Sequence, residues 1–372
     1  VGRFAARTVV PSRPTRYRVV VLTHTRLVVL LICVSIPFKS NDDVARLKGW
    51  TPIDAVVHEG RPGLWWMDMR DINLSEPFLE QTISQARKSL SPPREKFTEF
   101  DAVIQLEETL DSVSPSGFIF HASRCGSTLV ANACRALSGS IVLSEPAAVD
   151  KLVARFSTDA NTPVKEALYS VVLRGVVKAL SQRRHGDESR LFLKFSCCSV
   201  AQLRRIRRIW PNVPWLFIYR DPAEIIVSNL RNVPTWLEDA DNRVLADIIG
   251  LASTELAGMN REELCARSIG AFLGHASRLA NDNGMLLNYS ELSISSLLRV
   301  LEFFGITPSK AEFRQVENAA SVYSKDRTGQ RPYLSDISDK KQMTSAVVRE
   351  VSDRWCADQY RKLEQTRLAN TL

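Results

Sequence analysis

The sequence is poor in the residues that staple or metallate a protein. Its 372 residues include seven cysteines, Cys33, Cys125, Cys134, Cys197, Cys198, Cys265 and Cys356, an odd number at irregular spacings. No Cys-x-x-Cys pair occurs and the five histidines are dispersed, so a zinc site, a thioredoxin-type redox site and a disulfide framework all lack support. Such cysteine usage is expected of a reduced, cytoplasmic protein. A long apolar run is also lacking. Leu27 to Phe38 is uninterrupted for only twelve residues, against the ~20 that cross a bilayer. Extending it back to Val19 takes in His24 and Arg26, and a mid-span arginine costs roughly 2.5–3.5 kcal/mol on insertion scales. No small-x-small cleavage pattern comes after it. Residues 1–40 are therefore expected to be a basic and apolar leader, disordered or an upstream extension, with membrane contact only if residues 19–38 act as an anchor.

The same forty residues lack acid altogether while holding Arg3, Arg7, Arg13, Arg16, Arg18, Arg26 and Lys39. Of the formal net charge of +8, seven units thus belong to the leader and residues 41–372 keep +1. A near-neutral body makes no broad cationic field, so no nucleic-acid partner is expected and any anion must be held by a local site. The basic run Arg204, Arg205, Arg207, Arg208 reads accordingly as a solvated helix face.

With 45% hydrophobic and 24% charged residues, the remainder reads as globular. Residues 41–112 form an N-terminal accessory region with aromatic and turn signals, a helical stretch from Pro77 to Leu90, and a breaker at Ser91-Pro92-Pro93. Asp68, Arg70 and Asp71 in it read as a solvated strand end, and no chemistry is assigned there. From residue 113 to 372 short apolar runs alternate with helical stretches. Strands are expected at Phe118 to His121, Ile141 to Leu143, Leu191 to Phe195, Trp215 to Tyr219 and Met285 to Tyr289. Helices are expected at Ser127 to Leu137, Val164 to Gln182, Val200 to Ile209, Ala223 to Leu230, Glu262 to Ala280, Leu292 to Phe304 and from about Ala346. Apolar strands separated by helices predict an α/β fold of three layers around a central, mainly parallel sheet.

Two segments carry chemistry. In Gly117 to Leu129 an apolar strand enters the turn Ser123-Arg124-Cys125-Gly126-Ser127-Thr128 and a helix begins. Such a turn aims backbone N–H groups and a helix dipole at one point, which makes a phosphate cradle. Gly126 permits close approach, Ser127 and Thr128 offer hydroxyls, and Arg124 offers a charged fork. The plainer alternative is an ordinary strand-to-helix turn. A triphosphatase loop is excluded because no Lys precedes Ser127, and a cysteine phosphatase because Ala131 stands where its Arg belongs. Cys125 reads as a small residue tolerated in the turn, though a helix start can lower a thiol pKa. In Trp215 to Ser228 a second strand ends in Arg220-Asp221-Pro222, with Ser228 two turns along the next helix. Arg220 and Ser228 are placed to hold a second anion at the sheet edge, unless Arg220 merely pairs with Asp221.

The ordered pair Ser-Arg-Cys-Gly-Ser-Thr and Arg-Asp-Pro-x-Glu-x-x-x-Ser resembles the two cofactor motifs of the sulfotransferase family. The likeness runs from about Ser116 to Asp326 and includes Asn288 to Leu292 and Leu301 to Ile306. It implies a P-loop-like α/β fold and the co-substrate 3′-phosphoadenosine 5′-phosphosulfate. By resemblance, Arg124, Cys125, Gly126, Ser127 and Thr128 bind the 5′-phosphosulfate, and Arg220 and Ser228 bind the 3′-phosphate. Glu145 is similar in position to the catalytic carboxylate of the tyrosyl-protein and related branches, and Lys194 to the lysine over the scissile bond. The alternatives are a helix-start Glu and a snorkelling Lys. With Arg124, these two form the expected catalytic set, and no metal is required. The phenol- and steroid-type enzymes use a histidine base; His121 precedes the turn and reads as a packed strand-end residue. The family's closing basic loop has a loose counterpart in residues 325–331. The implied acceptor is a small molecule, carbohydrate or peptide, with Trp210, Trp236 and the segment from Val233 to Arg243 as pocket material unless they are core. A nucleotide or small-molecule kinase on the same fold, and a non-catalytic nucleotide-binding relative, are the competing functions.

Overall fold

The computed structural model describes residues 47–74, 76–90, 92–106, 110–159, 162–238, 243–279, 284–321 and 343–369. The leader, its candidate anchor at 19–38 and the basic loop at 325–331 lie outside them. Among the described residues no helix is long and apolar enough to cross a membrane.

Five strands, β4 (Pro115–His121), β5 (Ser140–Ser144), β6 (Arg190–Lys194), β7 (Trp215–Tyr219) and β8 (Gly284–Asn288), form a sheet in the order β5-β6-β4-β7-β8. Every neighbouring pair is parallel. The apolar runs mark these strands because both faces are buried, and the side chains sort by parity. Phe118, Phe120, Leu191, Leu193, Trp215 and Phe217 enter one core, while Ile119, Val142, Phe192, Leu216 and Ile218 enter the other. Alternation across a doubly covered sheet is what parallel strands require.

The second core is closed by α3 (Ser127–Arg135), α12 (Ile294–Phe303) and α13 (Lys310–Ser321) through Leu129, Val130, Leu297, Val300 and Val316. The first is closed by α4 (Ala147–Thr158), α5 (Pro163–Leu180), α6 (Leu203–Ile209), α7 (Pro222–Arg231) and α11 (Arg261–Ser277), with α8 (Thr235–Glu238), α9 (Arg243–Ile249) and α10 (Ser253–Ala257) between the last two. The C-terminal α14 (Ala346–Trp355) and α15 (Ala357–Ala369) add Val351 and Leu363 to it. The expected strands and main helices are present within a few residues of their predicted bounds. One predicted helix, from Val200 to Ile209, is instead a 3-10 turn, Cys197–Gln202, running into α6. Helix α4 is not among the expected helices, although the alternative reading of Glu145 as a helix-start residue places a helix start there.

The accessory region is an antiparallel meander, β1 (Trp50–His58), β2 (Arg61–Asp68) and β3 (Glu95–Glu99), with α1 (Leu79–Ser89) and α2 (Phe100–Leu106). Glu59 and Gly60 both have positive φ, the geometry of a two-residue hairpin turn whose twist suits its strands. Asp68 is no solvated strand end. It is 7% exposed, it accepts from Arg70 and Arg94, and those hydrogen bonds outweigh burial to lower its pKa to about 2. Leu64, Trp66, Met67 and Ile83 belong to the same core as α4 and α5. Gln182 fastens the meander to the end of α5, accepting from Gly49 N at 2.8 Å and donating to Trp50 O at 2.9 Å.

Candidate functional site

Strand β4 lies between β6 and β7, and the chain leaves it first toward β5 and later toward β7. A crevice at the carboxyl ends of the strands is expected where the order reverses in this way. The turn between β4 and α3 stands at that edge. Ser123 (φ 71°), Arg124 (φ 47°) and Gly126 (φ 84°) are all left-handed. For the two non-glycine residues this costs roughly 1–2 kcal/mol each, so neighbouring bonds must hold them. They do: Ser123 N donates to His121 Nδ1 at 3.1 Å, and Ser123 Oγ to Asn229 Oδ1 at 3.1 Å. Arg124 donates through Nε to the same oxygen at 3.3 Å and through Nη2 to Asn232 O at 2.6 Å. Asn229, on α7 and wholly buried, therefore clamps the turn, a role no local pattern announces.

Gly126 caps α3, and a Cβ there would meet Leu292 at 2.6 Å and Tyr289 at 3.0 Å. Ser127 and Thr128 open the helix, both nearly buried, and their hydroxyls make no hydrogen bond among the described residues. Cys125 faces the second core and donates to Ile218 O at 3.1 Å; burial pushes its thiol up to about 11. The thiol is thus turned into the core, away from the turn's open side.

Glu145 and Lys194 stand at the ends of the adjacent strands β5 and β6, where Glu145 N donates to Lys194 O at 2.7 Å. Lys194 Nζ donates directly to Glu145 Oε1. The lysine is 1% exposed, the glutamate side chain 31% exposed, so of the pair it is the carboxylate that meets solvent. Glu145 is itself left-handed (φ 50°). His121 joins them, its Nε2 3.3 Å from Glu145 Oε1. Burial alone would raise the Glu145 pKa, but the Lys194 charge and the contact with His121 hold it well below the usual carboxylate range. His121 is the packed strand-end residue expected, and it also orients the carboxylate. Its Nδ1 accepts from Ser123 N–H, which leaves Nε2 facing Glu145.

Two further groups surround this pair. Phe78, from the accessory region, lies over Lys194 with the ammonium 4.8 Å from the ring centroid, so that region supplies one wall. Asp150, one turn into α4, accepts from Ser196 N and Ser199 Oγ at 3.1 Å each. Desolvation, then the Glu145 charge, push Asp150 up to about 7.

Arg220, at the end of β7, is 2% exposed. Its Nε donates to Glu224 Oε2 at 2.5 Å and its guanidinium stacks on Tyr289 at 4.0 Å. Asp221 instead caps α7, accepting from Ala223 N and Glu224 N, which removes the Arg220–Asp221 pairing considered from sequence. Arg220, Glu224 and Ser228 succeed one another at four-residue spacing, one stripe of a helix. Tyr289 connects the two segments, touching Arg220 with its face and lying against the position a Gly126 side chain would take. Beyond it, Tyr219 and Asn288 donate to Glu364 on α15, which also holds Arg367. Trp210 and Trp236 pack edge-on against Phe118 and Phe272 at 5.4 and 5.6 Å, as core.

Two surface cavities, of about 330 and 380 Å³, are lined by other residues and do not touch the turn.

No family model and no curated protein matches the chain. Among solved structures it is similar to a sulfotransferase domain from the Synechococcus PCC 7002 olefin synthase, at 15% identity over 69% of this chain and 96% of that one, TM-score 0.36. A sulfotransferase domain from the curacin biosynthetic pathway matches at 15% identity over 65% and 98%, TM-score 0.38. A sulfotransferase from Alicyclobacillus acidocaldarius matches at 15% identity over 62% and 99%, TM-score 0.33.

Proposed function

We propose that the protein is a sulfotransferase that takes 3′-phosphoadenosine 5′-phosphosulfate and an acceptor hydroxyl or amine. The observation that carries this reading is the closed Glu145–Lys194 pair at the tips of adjacent strands, on the sheet whose central strand opens the left-handed turn at Ser123, Arg124 and Gly126. The residues suit a doubly anionic nucleotide: a left-handed glycine cap where a Cβ would press on Leu292 and Tyr289, hydroxyls on Ser127 and Thr128 with no hydrogen bond among the described residues, and the cations Arg124, Lys194 and Arg220. When bound, that nucleotide supplies the sulfuryl group and a phosphate leaving group.

The chain's own residues then have distinct tasks. The amides and hydroxyls from Gly126 to Thr128 hold the phosphosulfate end, and Arg220 with Ser228 the 3′-phosphate. Arg124 and Lys194 stabilise charge on the leaving oxygen, Arg124 as a donor already held by Asn229 and Asn232 and Lys194 once it turns from Glu145. Glu145 takes the acceptor proton, a contribution of roughly 10²–10⁴-fold. In the free protein its low pKa keeps it ionised but weakly basic. An anion that draws the Lys194 ammonium away removes the charge that depresses Glu145, so basicity rises as the cofactor site fills.

The test is transfer of sulfur label from the cofactor by wild type and Glu145→Gln, alongside binding of adenosine 3′,5′-bisphosphate. Turnover is expected to vanish in Glu145→Gln with nucleotide affinity kept. Undiminished turnover overturns the role of Glu145; ATP- and magnesium-dependent phosphoryl transfer by wild type overturns the function.

A further inference from the structure

The 330 Å³ cavity is lined by Arg204, Arg205 and Arg208 from α6 and by His275 and Arg278 from the end of α11, with no carboxylate in its wall. The arginine run is therefore more than the solvated helix face expected from sequence; Arg207 alone points inward, donating to Val213 O. Glu166 stands beside the cavity, 3.7 Å from Arg205 and 3.1 Å from Arg208. Among the described residues four guanidinium groups thus face the Glu166 carboxylate, with Asp247 also within electrostatic reach of His275, so positive charge is in excess. Helix dipoles account for Arg208, His275 and Arg278, which sit near the C-terminal ends of their helices. They do not account for Arg204 and Arg205, in the first turn of α6, where no acid accompanies them and a dipole disfavours a cation.

Several of these groups are held in place. Arg205 donates to Gln202 Oε1 at 2.5 Å. Arg278 and His275 Nδ1 are 2.8 Å apart, and burial together with the Arg278 charge lowers the His275 pKa, so the neutral ring accepts from the arginine and fixes it. Arg204 is exposed and has no partner among the described residues. Converging like charges from two separate elements around one concavity are stabilised by an anion between them.

We propose that this cavity binds a compact polyanion bearing two or more phosphate or sulfate groups, at a site separate from the strand–turn–helix cradle. Its volume is at the lower end of small-molecule sites. The near-neutral charge of residues 41–372 provides no extended basic track for a nucleic-acid strand or an anionic membrane, which need many phosphate contacts in a row.

The full chain is titrated calorimetrically with sodium tripolyphosphate at constant ionic strength, with the cradle saturated by adenosine 3′,5′-bisphosphate. One equivalent is expected to bind. Affinity is expected to fall about tenfold or more in Arg204→Ala/Arg278→Ala, as for loss of charge-assisted contacts, and to be unchanged in Arg220→Ala. Arg204→Ala alone, at an exposed position outside the core, is expected to weaken binding by about threefold and serves if the double variant does not fold. Equal affinity in the Arg204 variants overturns the cavity proposal, and loss only in Arg220→Ala places the ion in the cradle; neither touches the proposed function. Tighter binding of an oligonucleotide or of anionic vesicles than of tripolyphosphate, through the same arginines, overturns the compact ligand in favour of a macromolecule.

Discussion

Arg220 shows how one buried cation is held by its protein partners. A guanidinium at 2% exposure needs a counter-charge, supplied by Glu224, and a surface to lie on, supplied by Tyr289. Replacing it by Ala is expected to weaken adenosine 3′,5′-bisphosphate by about 10- to 100-fold while barely changing adenosine 5′-phosphate, the value of a hydrogen-bonded charge pair. Equal losses for the two nucleotides would make Arg220 purely structural. Because Arg220→Ala strands the Glu224 carboxylate in the core, the comparison belongs in Arg220→Ala/Glu224→Gln, which removes that buried charge. The placement of individual residues is legible in the sequence where local pattern fixes it: Arg124, Gly126, Ser127 and Arg220 are all marked by a strand running into a turn. His121, Asn229 and Phe78 are not marked in that way. Each takes its role through a contact made by tertiary folding, His121 with Glu145, Asn229 with Arg124, and Phe78 with Lys194.

At the scale of elements, the site depends on two fastenings. Asp150 on α4 ties the helix after Glu145 to the 3-10 turn after Lys194, through Ser196 and Ser199. Its carboxyl, pushed up to about 7 by desolvation and by Glu145, holds a proton in the folded protein that the unfolded chain has released above its ordinary value of 3.8. Folding then binds protons between those two values, so this group makes stability fall as pH rises through that window. Asp150→Asn keeps the acceptor oxygen and loses the titration. Its melting temperature is expected to gain on wild type from about pH 4 to about pH 8, and a constant difference across that range would refute the assignment. The second fastening is Gly126 at the start of α3. Gly126→Ala forces a Cβ into a left-handed position against Leu292 and Tyr289, at a cost of about 1–3 kcal/mol. Since the turn that Gly126 closes is the one proposed to hold the 5′-phosphate end, nucleotide affinity is expected to fall even for adenosine 5′-phosphate, a loss that thermal shift with each nucleotide reads directly. The parallel strands are visible in the sequence because both faces are apolar. Helix α4 is less plainly marked because its N-cap is Pro146, with no side-chain cap to signal it.

For the molecule as a whole, the division of charge and the sharing of the core matter more than the net values. The sequence suggests a separate region from 41 to 112, since the breaker at Pro92-Pro93 and the mixed aromatic pattern differ from the strand and helix alternation of residues 113–372. Contacts that join distant segments leave no local trace, and three of them bind this region to the rest. Its Leu64, Trp66 and Ile83 enter the core of α4 and α5, Asp54 pairs with Lys151 of α4 at 2.7 Å, and Gln182 at the end of α5 bonds both Gly49 and Trp50. Phe78 then reaches the Glu145–Lys194 pair through the lysine. The apolar face of the meander is covered by the same core as α4 and α5, and cutting it away would expose the apolar faces of those helices. Urea unfolding is therefore expected to give one transition shared by the accessory region and the α/β body, read by hydrogen exchange at β2 and at β4. Gln182→Ala removes two of the joining hydrogen bonds and is expected to lower the midpoint for both regions together, by about 1–3 kcal/mol of stability. Earlier exchange at β2 than at β4 in wild type, or a Gln182→Ala effect confined to β2, would make the accessory region an independent domain and Phe78 a bystander to the site.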